Sequence, residues 1–291
     1  MEILKSFSLT TWRGPLAQID HAEALAALES GCILYFPNLA FDLLPSEHPV
    51  LSPALSSGRA KNISLDPSGR VENAKLSREE HTLLPAMMER FAIGAHALVR
   101  ELFPSYALKL ERARTSFRPV EVAGRRASPI DDDTRLHIDA FPSRPLHGRR
   151  ILRLFSNVHP GDVPRVWKVG EPFAEMAAKF LPLVKEPVAL KPWLLAAIGA
   201  TRGVRSAYDS LMLGLHDAAK LDTDYQDRAT KTEVRFPPGS TWLCFTDQVM
   251  HAVLSGQFVL EQTFHLDIDA MAEPARSPIR ILEAMLGRRL A

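Results

Sequence analysis

Apolar residues recur at helical spacing in some stretches and run or alternate in others, and the two patterns divide the chain. Ala24, Leu25 and Leu28 predict a helix over Ala17 to Ser30, and Cys32 to Phe36 reads as a strand. Loops rich in Pro, Ser and Gly complete residues 1–75. Ser77 and Glu80 form a capping box ahead of an amphipathic helix that runs to about Phe103 and stops before Pro104. Pro85 comes early enough in it to be tolerated. Strand-like segments dominate from Leu108 to Val158. Helical spacing then returns over roughly Glu171 to Tyr225, with helices around Phe173 to Leu181, Trp193 to Ala200 and Val204 to Leu221. After the turn Phe236-Pro237-Pro238-Gly239-Ser240 comes a buried strand, Thr241 to Phe245, and after a second turn at Ser255-Gly256 a strand from Gln257 to Leu266. A short basic helix, Ile279 to Leu290, ends the pattern. The expectation is one α+β domain over 1–291. It has an α-rich flank at about 1–105, a β-barrel core at about 106–270 with a helical insertion at about 171–225, and a C-terminal helix at about 277–291.

Composition narrows this only a little. With 291 residues, 46% of them hydrophobic, the chain can bury a substantial core. Cys32 and Cys244 match no zinc spacing and make no disulfide framework, which fits a reducing compartment. Met1 to Trp12 lacks the apolar stretch of a signal peptide, and no apolar run approaches the roughly 20 residues that span a bilayer. A soluble, cytoplasmic protein is expected. The net charge of +1 hides an asymmetry, because Lys109 to Lys168 carries 13 Lys or Arg against 7 Asp or Glu. Such a region attracts anions, or is simply a solvated basic face. No zinc finger, RRM-like or helix-turn-helix signature accompanies the arginines, so no nucleic acid is expected as partner.

The candidate chemistry is His137-Ile138-Asp139. In a strand, side chains two apart share a face, so an imidazole and a carboxylate project together. His251, from a distant strand, would complete a 2-His-1-carboxylate triad, which holds one face of an Fe(II) and leaves the other open. A second such tripeptide, His265-Leu266-Asp267, has no His downstream and cannot start a triad in this order. Arg135 to Asp139 is expected as a short strand between the polar turn Asp131 to Thr134 and the Pro-bounded loop Phe141 to Pro145. The alternative is that His137 and His251 are hydrogen-bonded core or rim histidines.

In many 2-oxoglutarate-dependent oxygenases a basic residue a little beyond the distal His grips the cosubstrate's far carboxylate. Here Glu261 to His265 fill that window. Alternation along Arg149 to Asn157 puts Leu152, Leu154 and Val158 on one face and Arg149, Ile151, Arg153, Phe155 and Asn157 on the other. If the first face packs against helices, the second lines the barrel. Arg153 is the expected anchor, since a buried guanidinium offers a bidentate fork to an anion, with Arg149 and Arg144 in reserve. A structural salt bridge is the alternative for Arg153.

The run Asp132-Asp133-Thr134-Arg135-Leu136-His137-Ile138-Asp139-Ala140-Phe141-Pro142-Ser143-Arg144-Pro145 resembles the Kdo hydroxylase family of Gram-negative bacteria. So do Gly148 to Arg153, Pro164-Arg165-Val166-Trp167-Lys168-Val169-Gly170-Glu171-Pro172-Phe173, Ser206-Ala207-Tyr208-Asp209, Leu215-His216-Asp217 and Arg114-Thr115-Ser116-Phe117-Arg118-Pro119. The likeness extends over most of the chain. It implies a double-stranded β-helix, a cupin-like jelly-roll barrel, with flanking helices. It implies an Fe(II)- and 2-oxoglutarate-dependent dioxygenase that uses O2 to hydroxylate C-3 of a Kdo sugar, giving Ko, on the lipid A-linked inner core of lipopolysaccharide. His137, Asp139 and His251 would hold the iron, and Arg153 or Arg149 the 2-oxoglutarate. Arg144 and Arg165 are candidates for the substrate's carboxylate or phosphate, with surface charge as the alternative for both. Trp167 and Trp242 read as core aromatics. The stripe of Ile279, Ile281, Leu282, Met285 and Leu286 beside Arg276, Arg280, Arg288 and Arg289 could touch the cytoplasmic face of the inner membrane, or dock on its own domain. Rival readings are an oxygenase for another anionic sugar or small molecule, a cupin-like epimerase, and a non-catalytic sugar-binding protein. The first motif lacks the extra histidines that cupin sites commonly use.

Overall fold

The computed structural model describes residues 2–291 except 15, 17, 59 and 185–203. Its strands and helices follow in the order β1 (Leu4–Ser6), α1 (His21–Glu29), β2 (Ile33–Phe36), β3 (Ile63–Leu65), β4 (Val71–Glu72), α2 (Glu80–Leu102), β5 (Leu110–Arg118), β6 (Arg150–Asn157), β7 (Arg165–Val169) and α3 (Phe173–Phe180). Then come α4 (Ala207–Leu221), α5 (Thr223–Arg228), β8 (Thr232–Phe236), β9 (Thr241–Phe245), β10 (His251–Ser255), β11 (Val259–Leu266) and α6 (Pro278–Leu286). The expected helix Trp193 to Ala200 lies outside the described residues.

Eight strands form one sheet in the order β1-β2-β9-β6-β11-β5-β3-β4, antiparallel except at β1-β2. Three more, β10-β7-β8, form a second. This is an α+β architecture dominated by one large, mostly antiparallel sheet. Alternation sorts β6 as expected: Leu152, Leu154 and Val158 join the core beneath α2. Phe155 faces the other way, into a core shared with Trp167 of β7, Phe236 of β8, Trp242 of β9 and Val253 of β10. That second core lies between the two sheets. Trp167 and Trp242 are both essentially unexposed, as expected of core aromatics.

Helix α2 starts as the capping box predicts, with Ser77 N–H donating to Glu80 Oε2 at 2.6 Å and Glu80 N–H to Ser77 Oγ at 3.4 Å. Leu84, Met88, Phe91, Ala95, Leu98 and Leu102 recur at three- and four-residue intervals and are all buried. Each large apolar side chain so buried contributes roughly 1.5–3 kcal/mol. A third core joins the insertion helices and α6 to Leu136, Ile138, Met250 and Ala252. Ile279 and Leu282 of the C-terminal stripe are buried in it, while Met285 stays 41% exposed. Helix α6 stops at Gly287, whose positive φ of 67° supplies a left-handed cap, short of the expected Leu290.

Arg135 to Asp139 does not form the expected strand. The segment is extended but makes a single bridge to β10, at His137 opposite His251. Its other edge meets side chains of the insertion in place of a strand, so no ladder develops.

The start of β6 is tied to the turn before β10 by a fully buried ion pair. Arg150 Nε donates to Asp247 Oδ2 at 2.8 Å and Arg150 Nη2 to Gln248 Oε1 at 2.6 Å, while the guanidinium carbon lies 3.8 Å from the Phe245 ring centroid. Burial pushes the Asp247 carboxyl up, and Arg150 opposes it. Removing one partner strands the other in the core. Arg150→Met should therefore lower stability by about 3–5 kcal/mol in urea unfolding, and Arg150→Met with Asp247→Leu by clearly less. Equal losses in the two variants would show that the pair is not what holds this corner.

Candidate metal centre

His137 and His251 reach the same interior space because their backbones face each other. His137 N–H donates to His251 O at 3.0 Å and His251 N–H to His137 O at 2.9 Å. Leu136 and Ile138, like Met250 and Ala252, turn the opposite way into the insertion core. The ring orientations are set by the backbone as well. Each Nδ1 lies 2.8 Å from a carbonyl two residues earlier, Arg135 O for His137 and Val249 O for His251. A carbonyl only accepts, so each Nδ1 carries the proton and each Nε2 keeps its lone pair. The ring centroids are 4.6 Å apart. Trp167 stacks on His251 at 5.0 Å and 24°.

Asp139 completes the group. Its N–H is held by Thr246 O at 2.8 Å. One potential ligand atom from each of His137, Asp139 and His251 lies within 4.8 Å of the others. Burial, then the neighbouring His251 and Lys220, depresses the His137 imidazole well below its ordinary value, and burial likewise lowers His251. Burial alone would raise Asp139, but Arg153 and the two imidazoles outweigh it and the carboxyl falls below the usual range. Two neutral imidazoles and one carboxylate are the protonation states that a divalent metal needs. Asp139 Oδ2 is buried and accepts no hydrogen bond, although Arg153 Nη1 lies 3.2 Å away. An acceptor orphaned beside two free Nε2 lone pairs fits a cation.

Arg153 stands where alternation placed it, with Nη1 also 3.2 Å from Glu261 Oε1. Glu261 in turn accepts from Arg118 Nη2 at 2.7 Å and Nε at 3.0 Å. Arg118, Arg153 and Glu261 line a cavity of about 340 Å³ together with Arg114, Phe141 and Arg144. The four arginines against one glutamate match the expected anion-attracting region. Arg149 lies outside it. Arg149 pairs with Glu111 and lines a neighbouring cavity of about 520 Å³, which shares Arg114 and Arg144 with the first. Both cavities also touch His265, the second His-x-Asp histidine, which takes no part in the triad.

Arg165 is not the surface charge that was one reading of it, and it stands apart from the two cavities that the other arginine candidates line. It is 2% exposed, lines neither cavity, and donates from Nη1 to Gly256 O at 2.6 Å. Gly256, at φ +105°, lets the turn approach this closely, since a Cβ there would come within 2.9 Å of Arg165 Cα. Burial, then the like charge of Arg118, pushes the guanidinium down to about 9. A separate cavity of about 390 Å³, walled by Val169, Phe173 and Met250, contains none of the triad.

Arg118 and Glu261 were not among the sequence candidates. Alternation along β5 puts Arg114, Ser116 and Arg118 on one face, and that face lines the cavity. Asp133 was missed too. Four residues before His137, it binds Lys61 Nζ at 2.6 Å and Arg125 Nη2 at 2.9 Å, and its carbonyl accepts at 2.7 Å from the N–H of Val253, two residues beyond His251 on β10.

Comparison with known proteins gives one consistent neighbourhood. Residues 11–289 match the family model described as 3-deoxy-D-manno-oct-2-ulosonic acid (Kdo) hydroxylase. A comparison with curated protein sequences gave no match. The chain is similar to a crystal structure of the Kdo hydroxylase KdoO, a non-heme Fe(II) alphaketoglutarate-dependent dioxygenase, in complex with alphaketoglutarate and Fe(III). Identity is 45% and the TM-score 0.96, with 100% of this chain and 98% of that one covered. It is similar also to KdoO with cobalt(II), at 46% identity and a TM-score of 0.96, covering 99% and 97%. The apo KdoO structure aligns at 45% identity and a TM-score of 0.95, over 99% and 97%. With the match running over nearly its whole length, the chain belongs to the Kdo hydroxylase family.

Proposed function

We propose that this protein is an Fe(II)- and 2-oxoglutarate-dependent dioxygenase that hydroxylates Kdo. The reaction would take place at C-3, giving Ko, on the lipid A-linked inner core of lipopolysaccharide, at the cytoplasmic face of the inner membrane. The observation that carries the reading is the convergence of His137, Asp139 and His251 on one buried point, in a chain whose family member KdoO was solved with Fe(III) and alphaketoglutarate. The two sheets, with their shared core, are read as the halves of a cupin-like double-stranded β-helix. No described helix is long and apolar enough to cross a membrane.

Bound together, Fe(II) and 2-oxoglutarate supply the oxidation of a C–H bond by O2. The chain supplies position and charge. His137 Nε2, His251 Nε2 and Asp139 would hold the metal and leave the rest of its coordination free for cosubstrate and O2. Arg153, with Arg118 held alongside through Glu261, receives the far carboxylate of 2-oxoglutarate. Arg144, on the loop over the cavity, receives the sugar carboxylate. Trp167 and the inter-sheet core keep bulk water from the His251 side of the centre.

Two measurements test this. Anaerobic Fe(II) with 2-oxoglutarate should give wild-type protein a weak visible charge-transfer band, lost in His137→Ala and His251→Ala and kept in His265→Ala. A wild-type preparation that hydroxylates Kdo without the band would end the reading. Arg153→Leu should raise the KM for 2-oxoglutarate by about tenfold or more, since it removes a charge-assisted contact worth roughly 1.5–3 kcal/mol. Arg149→Leu, outside the inner cavity, should change that KM much less; the reverse order would move the anchor to Arg149.

A further inference from the structure

We propose that Gln226 of the insertion is a positioning residue for the metal centre, its side-chain amide replacing a neighbouring strand along the segment that carries His137 and Asp139. The proposal rests on reading that triad as the iron site. Leu136 N–H donates to Gln226 Oε1 at 2.8 Å, and Gln226 Nε2 donates to Leu136 O at 3.0 Å. A carboxamide carries the same acceptor and donor pair as a peptide group, so this is the reciprocal exchange that a paired strand residue would make. On the opposite edge, His137 makes its own reciprocal pair with His251. Residues 136 and 137 therefore have their backbone groups satisfied on both sides, although only one side is a strand.

Gln226 is itself held in place. Its Nε2 also donates to Ala219 O near the end of α4, at 2.8 Å, and its backbone N–H donates to Asp222 O at 3.0 Å. Asp222 caps the short helix α5 by accepting from Tyr225 N–H at 2.9 Å. Two further contacts from α4 reach the same stretch of chain. Lys220 Nζ donates to Ile130 O at 2.7 Å. His216, whose Nδ1 lies 2.9 Å from Asp217 Oδ1, sets its ring against that of His137 at 5.6 Å and 84°. The insertion thus meets the segment at residues 130, 136 and 137, whereas the N–H of Asp139 is held by Thr246 of the loop before β10. One end of the ligand pair belongs to the insertion, the other to the large sheet's connection.

A metal site tolerates displacements of its ligands of only about 0.5 Å. Loss of the Gln226 clamp would free Leu136, and with it the His137 backbone, without touching a ligand. Gln226→Met keeps the approximate length and volume of the side chain and removes both hydrogen bonds to Leu136, together with the one to Ala219 O. In the metal-free protein, amide exchange over residues 131–138 should become faster than in wild type. The Fe(II) dissociation constant should rise by about tenfold or more, the range seen when outer partners of metal ligands are lost. Met212→Ala, which opens the core shared with Leu136 and Ile138 but keeps every hydrogen bond to the segment, should leave iron affinity within about twofold. Unchanged exchange together with unchanged iron affinity in Gln226→Met would overturn the proposal, as would an equal loss of affinity in Met212→Ala. Gln226→Glu keeps the acceptor for Leu136 N–H and loses the donor; it should show the same changes at smaller size, and it decides the matter if the Met variant does not fold. Wild-type protein that binds no Fe(II) would remove the iron reading, while faster exchange at 131–138 in the variants would still report the clamp.

Discussion

Two backbone hydrogen bonds between His137 and His251 are the constraint on which the centre depends. They join segments far apart in the chain, and because extended backbone alternates its side chains, they fix which residues point inward. Leu136, Ile138, Met250 and Ala252 take the outward positions and are buried against the insertion. A slip of one residue would send both imidazoles into that apolar core and bring Ile138 or Met250 to the interior. Both faces oppose the slip, one by hydrophobic burial and one by charge. Register at this bridge is therefore strongly specified even though the bridge is a single rung.

The electrostatics extend outward from that rung. Asp139, Arg153, Glu261 and Arg118 form an alternating row of carboxylate and guanidinium, each within 3.2 Å of the next. Buried charges are costly unless paired, and in this row every charge has an opposite neighbour. The row also has direction. Its Asp139 end lies with two neutral imidazoles, where a cation is favoured, and its Arg118 end faces a cavity rich in guanidinium groups, where an anion is favoured. A divalent metal and a dicarboxylate placed at these two ends would each meet the opposite charge.

Much of this was legible from residue order, and the failures have identifiable causes. The strands that carry Arg153 and His251, and the helix from Glu80, follow from periodicity and capping, which are local properties. The triad was legible because alternation relates His137 to Asp139 within a tripeptide, leaving only one partner to be supplied from afar. Arg135 to Asp139 failed as a strand because strand formation depends on a neighbour, and the neighbour on one edge is a side chain of α5. The burial of Arg165 was hidden for a similar reason. An arginine at the start of a strand reads as exposed, and nothing local shows that Gly256 will close over it. Arg149 and Arg153 are four positions apart and share one face by alternation, yet β6 begins at Arg150, so only Arg153 is carried inside.

Glu261 illustrates how a missing charge can be supplied by neighbours. It occupies the stretch after the distal histidine where a basic residue is common, and its sign is reversed. On β11, Glu261 stands opposite Ser116 of β5 and Phe155 of β6, which puts Arg118 and Arg153 at diagonal positions on the flanking strands. Diagonal neighbours in a sheet lie about 7–8 Å apart at the backbone, within reach of long side chains. Both arginines do reach Glu261. The positive charge has moved one strand to either side, and the carboxylate left in the middle orients both guanidinium groups toward the same cavity. Under the proposed function three residues would do what one arginine does elsewhere, and Arg153, which also touches Asp139, would link the cosubstrate's wall directly to the residues that hold the metal.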